Sequence, residues 1–173
     1  MRLAHAFSWA LAIAALSGPA YADGWPTEPD HTLTPGKTVN ISLSKICSTS
    51  WGTDARHVTD AMKQQVIAAY HFDVSNCPKS HLNGKLVSRL EIDHLVPRSL
   101  GGADDVANLW PECYELTEAD KSQQENGAHK KDRLEQGLSK NLCKNPSKAQ
   151  LKEYQDAFKS DWLALYRTVY GNN

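Results

Sequence analysis

The chain has 173 residues, four cysteines and a formal charge of −1 at pH 7. That length accommodates one domain with a real core. The near-neutral balance counts against a protein that coats nucleic acid non-specifically, though not against an enzyme that meets DNA through a local basic face.

The first 22 residues do not read as part of the fold. Arg2 and His5 precede an apolar run, Phe7 to Leu16; Ser17, Gly18 and Pro19 break it, and Ala20-Tyr21-Ala22 follows. A basic start, a short apolar stretch and a small-x-small end describe a secretory signal peptide. The run is too short to span a bilayer as an anchor, and no later segment is apolar enough to do so. The mature chain is expected to start near Asp23, secreted or periplasmic, and loss of Arg2 takes its formal charge to about −2. Residues 23–45 carry Gly24, Pro26, Pro29, Pro35 and Gly36. They read as an extended, mobile N-terminal arm ahead of a single domain over 46–173.

A helix is predicted from Thr59 to about Tyr70–Phe72, because Val58, Met62, Val66 and Ala69 or Tyr70 recur at helical spacing. Asn76, Pro78, Asn83 and Gly84 predict a loop. Leu86 to Leu95 alternates and predicts a strand, ended by Pro97 and Gly101-Gly102. Val106 to Trp110 predicts a second strand closed by Pro111, and residues 114–126 are polar and irregular. A helix follows from about Ala128 to Leu142, with Leu134, Leu138 and Leu142 on one stripe and Asn145-Pro146 to stop it. Ser147-Lys148-Ala149-Gln150 is a capping box. It opens a last long helix with Leu151, Tyr154, Phe158, Trp162, Leu165 and Val169 on one side. The order helix, strand, strand, helix, helix gives an α+β fold, mainly helical, with a small two-stranded antiparallel ribbon.

No two of Cys47, Cys77, Cys113 and Cys143 are close in sequence. Zinc sites usually bring their ligands as close pairs. In an exported chain, scattered cysteines read as two disulfides, with three pairings open.

The stretch EIDHLVPRSLGGADDVANLWPE, Glu91 to Glu112, concentrates the chemistry. Hydrolysing a phosphodiester needs a base for the attacking water, and a histidine with a pKa near neutrality suits that task. It also needs positive charge for the phosphate and the leaving oxygen, which a divalent cation on hard ligands supplies. Asp93 offers the hard oxygen and His94 the base. Strict strand alternation would send these neighbours to opposite faces, so they converge only where the strand bends or ends. Asn108 has donors and acceptors on its amide and is placed to pin the loop between the strands and to orient the imidazole. Taken singly, each of these residues has a plainer reading as surface, cap or turn; the ordered combination is what carries specificity.

That combination resembles the HNH endonucleases, the ββα-metal nucleases. Their pattern runs acidic-x-Asp-His-apolar-x-Pro, then Gly-Gly, then Asn-Leu, then a helix carrying His or Asn. Glu91 to Pro97, Gly101-Gly102, Asp105 and Asn108-Leu109-Trp110-Pro111 match it. CSTSWGTDARHVTDAMKQQVIAAY, AHKKDRLEQGLSKNLC and SDWLALY are similar to segments of small exported bacterial HNH proteins, so the resemblance covers about residues 46–167. It implies a ββα-metal core and a one-metal DNA endonuclease that leaves a 5′-phosphate. His94 would be the general base, Asp93 a metal ligand and Asn108 the orienting residue. The implied cofactor is one divalent ion, Mg²⁺ or Mn²⁺, with Ni²⁺ or Zn²⁺ as alternatives. The implied partner is DNA, with no membrane contact after signal cleavage and the chain acting as a monomer.

The family's ligand position before Ala-x-x-Lys-Asp is Gly127 here. Asn126 and His129 are therefore the candidate second metal ligands. His129 is favoured, since it needs no insertion in the helix. Arg98, Lys130, Lys131 and Arg133 are the candidate phosphate contacts, weighed against an ordinary solvated helix face paired with Glu135. Trp110 is read as core rather than as a base-stacking platform. The resemblance also implies the disulfides, Cys47 with Cys143 and Cys77 with Cys113. Beside the nuclease stand two alternatives. One is a catalytically weakened HNH-fold protein that binds nucleic acid or a partner; the other is a disulfide-stapled structural protein.

Overall fold

A computed structural model describes residues 28–82, 85–114 and 127–171, with backbone only at 80–82 and 85–87. The expected signal peptide and Asn126 lie outside the described residues. The fold is mixed α/β and about half helical. Its elements are α1 (Leu43–Ser48), α2 (Asp60–Ala69), β1 (Lys79–Leu82), β2 (Lys85–Ser88), β3 (Leu90–His94), β4 (Leu109–Cys113), α3 (Gly127–Lys144) and α4 (Lys148–Tyr170). Single 3-10 turns occupy Val74–Asn76, Arg98–Leu100 and Val106–Asn108.

Two antiparallel ribbons form, β1 with β2 and β3 with β4. The expected strand from Leu86 to Leu95 is thus divided. Arg89 is the point of exchange: its N–H donates to Pro78 O at 2.7 Å, and its carbonyl accepts from Tyr114 N at 2.9 Å. Within the expected loop around residues 76–84, Lys79–Leu82 form β1 and pair with β2.

The second strand starts at Leu109, three residues later than Val106. Asp105 accounts for the delay, because its side chain accepts from Ala107 N at 2.9 Å and holds a 3-10 turn there. Pro111 lies inside β4 opposite Ile92 rather than closing it. The flanking bonds Tyr114 N to Arg89 O and Leu95 N to Asn108 O place Ile92–Pro111 at a non-hydrogen-bonded pair. A residue without an N–H is tolerated at such a pair.

Helix α2 starts on Thr59, whose side chain accepts from Met62 N at 3.2 Å. It buries Val66 against Ile92 and Leu109 of the β3–β4 ribbon. Leu134, Leu138 and Leu142 of α3 sit in the main core with Leu95, Trp110, Phe158 and Trp162. Each fully buried leucine of this kind contributes roughly 1.5–3 kcal/mol. Trp110 is fully buried, as core.

Helix α4 begins on the Ser147 cap. It changes phase at Asp161, which is extended (φ −164°, ψ 96°). The restart is capped by Asp161 Oδ1, which accepts from Ala164 N at 2.7 Å, and by Glu28 Oε1, which accepts from Leu163 N at 3.3 Å. In consequence Tyr166 is buried, whereas Val169, expected inward, is 43% exposed.

The arm is not extended throughout: it turns at 31–33, where Leu33 N and Thr34 N donate to Asp30 O, and its last residues, Leu43–Lys45, begin α1, a helix not expected from the sequence. It is also tied down rather than loose. Gly36 N donates to Ala107 O at 2.9 Å, Val39 N to Gly101 O at 2.9 Å, and Ala103 N to Lys37 O at 3.0 Å. Buried Thr34 donates its hydroxyl to Leu109 O at 2.8 Å. The arm's backbone groups are satisfied by the loop between β3 and β4, which composition alone does not reveal.

Disulfides join Cys47 to Cys143 and Cys77 to Cys113, with Cα separations of 5.4 Å and 5.3 Å. The first ties α1 to α3 and the second ties the entry of β1 to the end of β4. No helix among the described residues is long and apolar enough to cross a membrane.

Candidate active site

Strand β3 ends at His94, and the chain leaves the pleat at Leu95 and Val96. Asp93 and His94 therefore escape strict alternation, and both line one cavity of about 490 Å³. The loop that follows is built to close tolerances. Gly101 has φ +82°, and a Cβ on Gly102 would lie 1.7 Å from Val96 O, so no side chain fits there. Asn108 is fully buried and holds the two ends of this loop together. Its Oδ1 accepts from Val96 N at 2.9 Å, and its Nδ2 donates to Val96 O at 3.0 Å and to Ala103 O at 3.1 Å. Its contacts are with loop backbone, so it acts on the imidazole only through the loop.

His94 is 4% exposed, and its Nε2 lies 2.7 Å from Asp104 Oδ1. Burial pulls its pKa down to about 4, against the upward pull of the Asp93 and Asp104 carboxylates. The imidazole is therefore neutral at pH 7, as a general base must be, but its pKa lies well below the near-neutral value expected from sequence, which makes it a weaker base than one poised near pH 7. Asp104 is itself held by His57 N at 2.8 Å and by Arg98 Nε at 3.3 Å.

Lys131 reaches the site from α3 and is fully buried. Its ammonium donates to Asp93 Oδ2 at 2.6 Å, to His94 O at 2.6 Å and to Glu135. It is therefore not a phosphate contact but the internal counter-charge of the site. Burial alone would lower its pKa; Asp93, Glu135 and Glu112 outweigh that and raise it. For Asp93 burial acts upward, and Lys131 and then His94 overcome it, holding the carboxyl below its ordinary value.

The remaining acids nearby are less well compensated. Glu91, Asp132 and Glu135 line the same cavity as Asp93. Burial first, then the charge of Asp93, raises Glu91 and takes Asp132 to about 6. Burial and Asp93, against Lys131, take Glu135 to about 8. Glu112 is buried beside them, and no donor among the described residues reaches either of its oxygens. Burial and Asp93 push it well above the carboxylate range. Hard oxygens in local excess of negative charge have the donor chemistry of a divalent-cation site. Among the described residues no three of His, Cys, Asp and Glu converge on one point. Mg²⁺ commonly keeps several waters and needs only one or two carboxylates from the protein, so a lone Asp93 carboxylate is chemically compatible with such an ion.

His129 is not brought to Asp93. Its ring meets Tyr114 edge-on with centroids 4.8 Å apart, and it lines a neighbouring cavity of about 400 Å³. The cause is helical phase. His129 precedes Lys131 by two residues, a rotation of about 200°. Gly127 precedes Lys131 by four and shares its face.

The expected phosphate contacts are otherwise engaged. Arg98 lines the main cavity but pairs with Asp54 and Asp104, its guanidinium 5.6 Å from the Trp51 ring centroid. Lys130 lies over Tyr166 at 5.1 Å and Arg133 over Tyr170 at 4.3 Å, both rings belonging to α4.

Two roles escape sequence reasoning. Asp104 sits in a Gly-Gly-Ala-Asp-Asp run that reads as an ordinary turn, and only its position across that turn from His94 hints at more. Lys131 reads as a solvated charge until its depth is known. Comparison with family models, curated proteins and solved structures finds no match for this chain.

Proposed function

We propose that this protein is an exported, metal-dependent DNA endonuclease of the HNH type. The observation that carries the reading is a buried, neutral imidazole beside a lysine-held carboxylate at the wall of an open cavity. The strand, loop, strand and helix that supply these groups follow the order of the ββα-metal pattern. Two disulfides are compatible with an oxidising, extracellular setting.

In this reading His94 takes the proton from the attacking water. Asp93 anchors the cation, and Asn108 keeps the loop in the geometry that the base needs. A bound divalent ion would offset charge on the phosphate and on the leaving 3′-oxygen. The other candidate for a second protein ligand is Asn126, which precedes α3 in the sequence and lies outside the described residues.

A plasmid-nicking assay on the mature chain tests this. Nicking in Mg²⁺ or Mn²⁺, loss of nicking in EDTA, and ends that ligase can rejoin are the expected results. A folded, disulfide-intact protein that leaves plasmid untouched with every divalent ion would refute it.

One observation favours a second reading, a weakened nuclease fold that binds nucleic acid. Lys131 already occupies Oδ2 of Asp93, and His129 faces elsewhere. A gel shift that weakens steeply with salt, without cleavage, would support that alternative.

A further inference from the structure

We propose that Asp104 is a positioning residue: it fixes His94 as the Nε2–H tautomer and so leaves Nδ1 as the basic nitrogen. The inference rests on the nuclease reading for its catalytic consequence, but its structural half stands without it.

Consider which atoms can carry the proton. Asp104 Oδ1 lies 2.7 Å from His94 Nε2, a hydrogen-bond distance. Asp104 also accepts from the His57 backbone N–H at 2.8 Å, on Oδ2, and faces Arg98 Nε at 3.3 Å, on Oδ1. A carboxylate surrounded by donors is ionised and only accepts. The proton of the short contact therefore belongs to Nε2. With the Nε2 proton committed to Asp104, Nδ1 is the ring nitrogen left to take up a proton.

The carboxylate is in turn held in place. Arg98 pairs with Asp54 and donates to Ala55 O at 2.8 Å. Its guanidinium lies against Trp51. Asp54, Ala55 and His57 belong to the segment between α1 and α2, outside the β3–β4 ribbon and α3. This segment thus reaches the reacting imidazole through Arg98 and Asp104. Orienting a base through a second hydrogen-bonded group is an established use of such a pair.

The test reads the tautomer directly. In the full mature chain labelled with ¹⁵N, long-range ¹H–¹⁵N correlations at pH 7 report which ring nitrogen of His94 is protonated. The expected wild-type spectrum shows Nε2 protonated and Nδ1 bare. Asp104→Ala should move the His94 signals toward a mixture of tautomers. It should also lower kcat on a duplex oligonucleotide by at least about tenfold with KM little changed, since it impairs general-base catalysis. Asp104→Asn keeps the size and an acceptor oxygen, and should recover part of both readouts.

Protonated Nδ1 in the wild type overturns the proposal. So does a folded Asp104→Ala variant with the wild-type tautomer, even if its activity falls. If Asp104→Ala does not fold, Asp104→Asn and the wild-type spectrum still decide. A wild type with protonated Nε2 but no nuclease activity would refute the functional reading while leaving the Asp104 assignment intact.

Discussion

Replacing Asn108 by alanine removes three hydrogen bonds at a position with no solvent access. The bonds go to Val96 N, Val96 O and Ala103 O, all backbone groups of the loop between β3 and β4. Each buried group left without a partner costs about 1–3 kcal/mol. Part of that is recovered by loop relaxation and by entering water, so a total of about 3–5 kcal/mol is expected. A domain of this size has only about 5–15 kcal/mol in hand. With a urea m-value near 2 kcal/mol/M, the unfolding midpoint should fall by about 2 M. Asn108→Asp should not rescue the loss, because it replaces the donor to two carbonyl oxygens by a third oxygen. Equilibrium urea unfolding, followed by tryptophan fluorescence with the disulfides intact, measures the shift. A midpoint within about 0.3 M of wild type would show that the loop is held by something else.

Lys131→Met should destabilise the fold by about 3–5 kcal/mol, since it leaves the buried Asp93 carboxylate without its counter-charge; adding Asp93→Asn should recover part of the loss, and thermal melts of the three proteins check this. Glu28 has its pKa raised to about 8, by burial first and then by Asp161. Above pH 4.5 the unfolded chain ionises this group before the folded chain does, so its contribution to stability falls as pH rises towards about 8. Glu28→Gln should therefore flatten the decline in urea midpoint between pH 5 and pH 8; an unchanged slope would contradict the assignment. His129→Ala should leave nicking activity within a few-fold of wild type, because its ring sits on Tyr114 and not on the Asp93 cavity. Abolished nicking in a folded variant would restore it as a ligand.

Much of the architecture was legible because it rests on local signals. The Thr59 and Ser147 caps, the leucine stripe of α3 and the turn at Gly101-Gly102 each announce themselves within a few residues. The adjacency of Asp93 and His94 at a strand end was legible for the same reason. The disulfide pairing followed from the family resemblance rather than from spacing. What remained hidden depends on depth and on distant partners. Leu86 to Leu95 alternates cleanly only from Leu90 to Asp93; the adjacent polar pair Ser88-Arg89 is a local break at the exchange of partners, but too slight a signal to divide the strand on its own. The docking of the arm depends on carbonyls some seventy residues away, at Gly101, Ala107 and Leu109. The inward turn of Tyr166 depends on an extended residue inside a helical pattern, and Asp161 reads there as one more solvated charge. Lys131, read as a phosphate contact or a solvated charge, was misjudged for a related reason. Sequence shows a charge but not the opposing charges that draw it into the interior.

The most direct test of the central claim is the cleavage rate of His94→Ala against wild type, on supercoiled plasmid at matched concentration of folded protein. The variant should keep the wild-type fold by circular dichroism. Its nicking rate should drop by roughly a hundredfold or more, the usual scale for a lost general base. A folded His94→Ala protein that nicks plasmid at the wild-type rate would contradict the account.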